Sequence, residues 1–547
     1  MPRMLRRMVM PLLGLVALSA QSPKLPADIW ERLEAQGARY SAVEIRIGNV
    51  FDPSRPHEDH WIGRAANALH MGTREQVVAR EIPFKAGDRV VAREVQEAER
   101  NLRSFRFLEE AFIDPVVEPD GRVRAVVRTE DAWTLKVSGG VSQVGEQRSF
   151  GYSIKEANLF GRGKDLTVSH ERVTERSTDT VLYQDRQFLG STWTFASQYQ
   201  MLSDGRTRVL EVGRPYRGLA TPWSMTFNLG SSDSLASVYN LRRTAYEFPT
   251  KVDWFHGDGT WASLPKGASV VRMGGGLDLL RIGQGPYRVV DGLAMAEGPL
   301  APPTLEAKRL QGFHLSWNYF EDAFHDFRDL AAMSHTEDHN LGWEASLRIG
   351  LYAEFLGSQA QAPFFEASLR KGWRPGPDVL LLLEAKGAGR REPGGWRDAL
   401  ASGSFTAYHQ GLPHLTQAVN LQVDAAHRPD PGNLLYLGGM EGLRGYANHL
   451  LLGDRRWVLS LEERPVTDLN LLGILRVGFV VYADAGAIRR ADTGKWSRTY
   501  ADVGGGFRFG NLKSSIGRLF LITVAYPLWR EPGMESHQIV VGNVVRF

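Results

Sequence analysis

The stretch Gln311-Gly312-Phe313-His314-Leu315-Ser316-Trp317-Asn318-Tyr319-Phe320 alternates. Phe313, Leu315, Trp317 and Tyr319 share a parity with Gln311, Gly312, His314, Ser316 and Asn318 share the other, and only Phe320 breaks the pattern. Successive side chains of a strand point to opposite faces, so this segment has one apolar, aromatic face and one small or polar face. In 415–425, Leu415, Val419, Leu421, Val423 and Ala425 alternate in the same way with Thr416, Asn420, Gln422 and Asp424. Period two recurs in 149–154, 192–199, 223–229, 341–351 and 365–373. Runs of about ten residues with this alternation are the pattern of a transmembrane β-barrel, one face to lipid and one to a polar lumen. Strands of soluble sheets run nearer five or six residues. A bilayer also forces closure, because an open sheet edge leaves backbone groups unsatisfied in hydrocarbon.

Composition agrees. The chain has 547 residues, 43% hydrophobic and 23% charged, which excludes a disordered or collagen-like protein. Mean hydropathy is -0.27, and beyond the N-terminus no stretch approaches the roughly 18 to 20 apolar residues of a spanning helix. The 57 glycines, 14 Trp, 16 Tyr and 25 Phe suit many short strands and turns. With 65 basic against 62 acidic residues, nothing points to nucleic acid or another polyanionic partner. The absence of cysteine excludes disulfide frameworks and thiolate metal sites.

At the N-terminus, Arg3, Arg6 and Arg7 precede an apolar run over 8–18 and the small residues Ala17, Ser19, Ala20 and Ser22. This predicts a cleaved secretory signal over 1–20, followed by a linker over 21–39. Residues 40–131 read as mixed α/β. A strand is expected over 43–50, then a polar loop. Thr73-Arg74-Glu75-Gln76 has capping-box spacing, and Val95, Ala98, Leu102 and Phe105 share one helical face. The β-rich runs 111–117 and 122–128 are joined through Pro119-Asp120-Gly121. The order is strand, helix, helix, strand, strand. From Trp133 the period becomes two, so 132–547 is assigned to the barrel.

Parity sorts the later strands. Leu475, Val477, Phe479, Val481 and Ala483 fall on the lipid face, which puts Arg476, Tyr482 and Asp484 inside. Trp457, Leu459 and Leu461 fall outside, so Arg456, Ser460, Glu462 and Arg464 point inward, while Glu463 takes the outer parity. In the last run Ile539, Val541, Val545 and Phe547 are outward, and Gln538, Gly542 and Arg546 inward. A long loop between about 426 and 455 carries Gly438-Gly439-Met440-Glu441-Gly442-Leu443-Arg444-Gly445-Tyr446. A guanidinium on this loop, folded into the lumen, can meet Asp484 and Glu462 through charge-assisted hydrogen bonds.

That loop resembles the hydrophobic-Arg-Gly-aromatic motif of the outer-membrane assembly-factor and two-partner-secretion transporter superfamily, whose surface-antigen barrels follow POTRA (polypeptide-transport-associated) domains. Tyr482-Ala483-Asp484-Ala485-Gly486 looks like its aromatic-x-Asp-x-Gly strand, Gly504-Gly505-Gly506-Phe507-Arg508 like its glycine-rich strand, and Ala525-Tyr526-Pro527-Leu528 like its penultimate strand. Asn158-Leu159-Phe160-Gly161-Arg162-Gly163 resembles the turn after its second strand. Phe84-Lys85-Ala86-Gly87-Asp88 and Glu99-Arg100-Asn101-Leu102-Arg103 look like parts of a POTRA domain.

The resemblance implies a transmembrane antiparallel β-barrel of sixteen strands behind one POTRA-like domain, although the candidate runs number nearer twenty. It implies a luminal loop of Gly439, Leu443, Arg444, Gly445 and Tyr446 on wall residues Asp484, Glu462 and Gly486, and a C-terminal strand signal of Ile539, Val541, Val545 and Phe547. The location it implies is a Gram-negative outer membrane, with the POTRA-like domain in the periplasm. Implied partners are unfolded outer-membrane or exported polypeptides, outer-membrane lipid and periplasmic accessory proteins. The implied function is insertion of polypeptide through the barrel seam, or alternatively two-partner secretion through the lumen. Neither needs a cofactor, a metal or a catalytic residue. A passive porin or an outer-membrane enzyme would need neither the POTRA-like domain nor the loop. Against the family pattern, this chain shows one such domain and no clear plug.

Other polar clusters read blandly. His57-Glu58-Asp59-His60 and His335-Thr336-Glu337-Asp338-His339 are expected as surface loops, lacking the helical spacing of a zinc site. Phe324-His325-Asp326-Phe327 reads as a turn or interfacial segment. Gly161-Arg162-Gly163 lies in no strand-turn-helix unit for a nucleotide, and no Gly-x-Ser-x-Gly elbow is present.

Overall fold

A computed structural model describes residues 28–55, 59–144, 147–173, 176–290, 307–333, 335–471, 474–512, 519–531 and 534–542. The signal over 1–20, and Val545 and Phe547 of the C-terminal signal, lie outside them.

A small unit built on a three-stranded sheet comes first. Strand Tyr40–Gly48 runs parallel to Val123–Asp131, which pairs antiparallel with Leu108–Val117. Helix Ala92–Arg103 packs on this sheet through Val95, Ala98 and Leu102, all at most 1% exposed, joined by Phe105 and Phe107. Gly121 supports the hairpin turn at φ +79°. Three expectations need correction. Residues of the expected linker form a helix, Asp28–Ala35, whose Trp30 and Leu33 belong to the same core. The expected polar loop after the first strand contains a helix, Trp61–Leu69. Thr73 does not build a capping box. Helix Glu75–Ala79 starts from Arg74 without a side-chain cap, and the Thr73 hydroxyl donates to Asp131 Oδ1 at 2.6 Å instead.

The second body is one sheet of antiparallel neighbours closed into a barrel, from Leu135–Val144 round to Gln538–Gly542, which lies beside the first strand. Its faces follow parity. Phe313, Leu315 and Trp317 are exposed, Leu315 by 64%, whereas His314 and Ser316 between them are buried. An apolar outer face and a polar inner one satisfy lipid and lumen together. The sheet carries 22 strands among the described residues, not sixteen. Two are short additions, Arg288–Val289 and Leu435–Leu437, beside strands that pair directly. The rest form a continuous meander of twenty strands, in line with the candidate runs counted in the sequence.

The small unit is bolted to one end of the barrel by consecutive turns. Asn158 Nδ2 donates to Thr73 Oγ1 at 2.9 Å, Gln187 Nε2 to Val77 O at 2.9 Å and to Glu81 at 2.6 Å, and Arg217 pairs with Glu81 at 3.0 Å. Glu97 accepts the Leu219 N–H at 3.0 Å, and burial in this joint pushes its carboxyl above the ordinary range.

Candidate functional site: a lumen closed from both ends

Strands 344–352 to 415–427 alternate away from and toward the small unit, so the connection over 428–450 belongs to the far end of the barrel. It folds back into the lumen. Leu443, fully buried, packs with Leu437, Leu450, Val458 and Ile488, which fixes the loop against the wall. Arg444 then faces the inward row of the sheet. Its Nε and Nη2 donate to the two Asp484 oxygens at 2.7 Å each, a bidentate fork, and Nη1 donates to Glu462 at 2.5 Å. The guanidinium also lies 3.5 Å from the Tyr482 ring centroid. Burial works against its charge, but Asp484 and Glu462 outweigh burial and raise its pKa further above the ordinary arginine value. Arg444 is thus a permanent cation in a carboxylate socket.

The neighbours keep the loop close. A Cβ on Gly445 would stand 2.5 Å from that of Asp502, so only glycine allows this approach. Tyr446 donates its hydroxyl to Ala501 O at 2.9 Å and meets Tyr500 edge-on. Gly439 donates its N–H to Ala447 O at 3.0 Å across the base of the loop. Gly486 pairs with Val458 and Tyr500 in the wall beneath Leu437. In the last described strand Gln538 is buried and Ile539 exposed. Asp502, fully buried and opposite Asp484 in register, was not singled out in the sequence; only its place in the strand after Asp484 could have flagged it.

A second closure enters from the other end. The connection between strands 308–321 and 344–352 forms a hairpin, Phe324–Arg328 with Thr336–Asn340. Its base touches the small unit: Arg100 pairs with Asp322 at 3.0 and 3.1 Å, and Arg103 clamps Asp338 at 3.0 and 2.8 Å. Its tip crosses the lumen. Phe327 and Leu330 pack on Leu380, Tyr408 and Ala418, while Met333, fully buried, packs on Val466 and Leu519. The Glu337 carboxylate accepts the N–H groups of Leu330, Ala331 and Ala332 at 3.0 to 3.2 Å, holding the tip in one shape. The wall answers with donors: Arg464 to Leu330 O at 2.6 Å, Arg508 to Ala331 O at 2.8 Å and Thr416 to Asp329 O at 2.8 Å. His335, buried, reaches Asn511 O at 2.9 Å. The expected surface loop over 335–339 is therefore the returning arm of a luminal hairpin.

The two closures share a residue. Glu462 takes Arg444 on one oxygen and Arg464 Nε, at 2.8 Å, on the other, and Arg464 holds the hairpin tip. A continuous chain of ion pairs and hydrogen bonds thus runs from Arg103 through the hairpin to Arg444. Another luminal cluster joins His314 to Asp278 at 2.6 Å and Asp258 at 2.9 Å, with His256 and Arg348 on Asp278 at 2.7 and 3.0 Å. His256, Asp278 and His314 have metal-capable atoms close together. Their ligand atoms already bond one another, and the Arg348 cation beside Asp278 opposes a second cation, so the group works as a charge-paired rib of the wall.

These features define a class: a closed antiparallel β-barrel with an arginine-bearing luminal loop and a small α/β unit on one end. The chain is 27% identical over 242 residues to a protein of Treponema pallidum (strain Nichols) named as a candidate outer membrane protein assembly factor; the match covers 42% of this chain and 27% of the relative, so it spans about a quarter of that protein. No family model matches. Solved structures similar to it include BamA from Haemophilus ducreyi lacking POTRA domains 1–3 (14% identity, TM-score 0.36, 91% of this chain and 84% of that one) and CdiB from Acinetobacter baumannii (12%, 0.44, 92% and 73%).

Proposed function

We propose that this protein assembles polypeptides into the outer membrane by way of the barrel seam, without cofactor or chemical catalysis. The observation that carries the reading is the doubly closed lumen. A chain crossing through the middle must displace both the Arg444 loop and the hairpin, each held by buried charge pairs. The route along the seam needs neither to move: the terminal strand pairs with its neighbour from Leu521 to Ala525 over Gln538–Gly542 and stands next to the first strand.

Client chains would first meet the periplasmic sheet by adding a strand to an edge. Its two edges differ. At Leu108–Val117 the outward groups of Ile113 are taken, its carbonyl by Trp30 Nε1 at 3.1 Å and its N–H by Glu99 at 2.8 Å, while Val116 and Val117 beyond are exposed. Secretion of one exported polypeptide through the lumen is the competing reading, favoured by the width of so many-stranded a barrel. Photo-crosslinkers placed at Val117 and at Arg46, exposed on strand Tyr40–Gly48, in cells, followed by identification of the captured chains, test the proposal. Many different outer-membrane barrels are expected; a single exported protein would transfer the assignment to secretion.

A further inference from the structure

Helix Trp61–Leu69 carries its apolar side outward. Trp61, Ala65, Ala68 and Leu69 share an exposed stripe at helical spacing, Arg64 is the one charge in it, and Met71 prolongs it. Trp61 is 73% and Leu69 77% exposed. On the inner side Gly63 is buried and Asn67 makes the polar contacts. Asn67 donates to Phe51 O at 2.7 Å and accepts the Phe51 N–H at 3.1 Å, so the helix is held with its apolar stripe facing away from the domain. At the helix end His70 Nε2 meets Asp131 at 2.8 Å, Asp131 also binds Thr73, and Thr73 is bonded to Asn158 of the barrel turn. Arg74 donates its N–H to Gly161 O at 2.9 Å in the same turn. The end of the stripe is therefore fixed against the rim of the barrel.

The rim continues the apolar surface. Phe160 stands out of that turn, 59% exposed, just beyond the strand whose Tyr152 and Ile154 face lipid. The next turn repeats the device: buried Gln187 grips the small domain while Leu189 is turned outward. Phe160 and Leu189 sit at φ 57° and 53°, a left-handed conformation that bulky residues rarely adopt. Both turns thus hold an apolar side chain outward against its backbone preference.

From this continuity with the lipid-facing wall we infer that Trp61, Leu69 and Met71, together with Phe160 and Leu189, form an interfacial patch that lies on the periplasmic leaflet of the outer membrane. The partner is a phospholipid surface, with the indole of Trp61 at headgroup level and the one charge in the stripe, Arg64, already paired with Asp59 at 2.5 Å. The patch sits beside the second strand, one hairpin from the seam.

The chain has no cysteine, so single sites can be labelled cleanly. Full-length Leu69→Cys and Ala65→Cys proteins, each carrying a nitroxide, are reconstituted at one chain per vesicle in phosphatidylethanolamine and phosphatidylglycerol, with Asp120→Cys on the periplasmic hairpin turn as the aqueous reference. Relaxation by oxygen should exceed relaxation by a water-soluble nickel complex several-fold at residues 65 and 69, and the order should reverse at 120. If the labels at 65 and 69 behave as at 120, the patch faces water and the inference is overturned, leaving a protein partner to cover it. An added Phe160→Asp, Leu189→Asp pair should shift residue 69 toward the aqueous value; no shift would show that the rim does not share the contact.

Discussion

Arg444→Ala should release the luminal loop while leaving the barrel inserted. The substitution strands Asp484, which loses both donors of the fork, and leaves Glu462 with Arg464 alone. Removing one partner of a buried pair costs about 3–5 kcal/mol, because the remaining charge stays desolvated and uncompensated. The loop is then held by the packing of Leu443 and Tyr446 without its charge anchor, so residues 428–450 should become more accessible to protease and exchange amide hydrogens faster by at least about tenfold. Arg444→Lys keeps the charge but not the planar fork, and should recover only part of the protection. Unchanged protection in Arg444→Ala would mean that the carboxylate socket does not hold the loop.

Excising the hairpin should open the periplasmic mouth. The Leu341 N–H donates to Ala323 O at 3.0 Å, so the ends of the hairpin already touch, and a two-residue glycine-containing turn can replace residues 324–340 without strain. In planar bilayers the excised protein should conduct ions, and combining excision with Arg444→Ala should raise conductance at least roughly tenfold over the intact chain, since barrels of this size leave an aqueous channel when unfilled. Arg464 and Arg508 would lose their carbonyl acceptors on the tip and turn to water. A double variant as silent as the parent would show that something other than these two elements fills the lumen.

The barrel was legible because lipid and lumen impose opposite demands on alternate residues, and 311–320 records both. The Arg444 contacts were legible for the same reason: parity alone puts Asp484 and Glu462 inside, and the loop motif supplies the cation. The hairpin was not. His335-Thr336-Glu337-Asp338-His339 has the polarity of a solvated loop, yet its carboxylates are spent on backbone N–H groups and on Arg103, partners distant in sequence. Thr73 went astray similarly, since Asp131, fifty-eight residues on, competed successfully for a hydroxyl that local spacing assigned to a helix cap. Helix Trp61–Leu69 escaped notice because its exposed side carries Trp61 and Leu69 while Asn67 ties it to Phe51, so no apolar face points to a core.

The central claim is that polypeptide passes along the seam while the lumen stays shut. Met333 and Leu519 share a packed cluster between the hairpin tip and the wall, and the natural chain contains no competing thiol. The Met333→Cys, Leu519→Cys protein, oxidised to lock the hairpin, is reconstituted in proteoliposomes and given a urea-unfolded small outer-membrane barrel, whose folding is followed by gel mobility. The account predicts the same acceleration of folding in the locked and the reduced states. Loss of acceleration on oxidation, restored by reductant, would contradict it and put the path through the lumen.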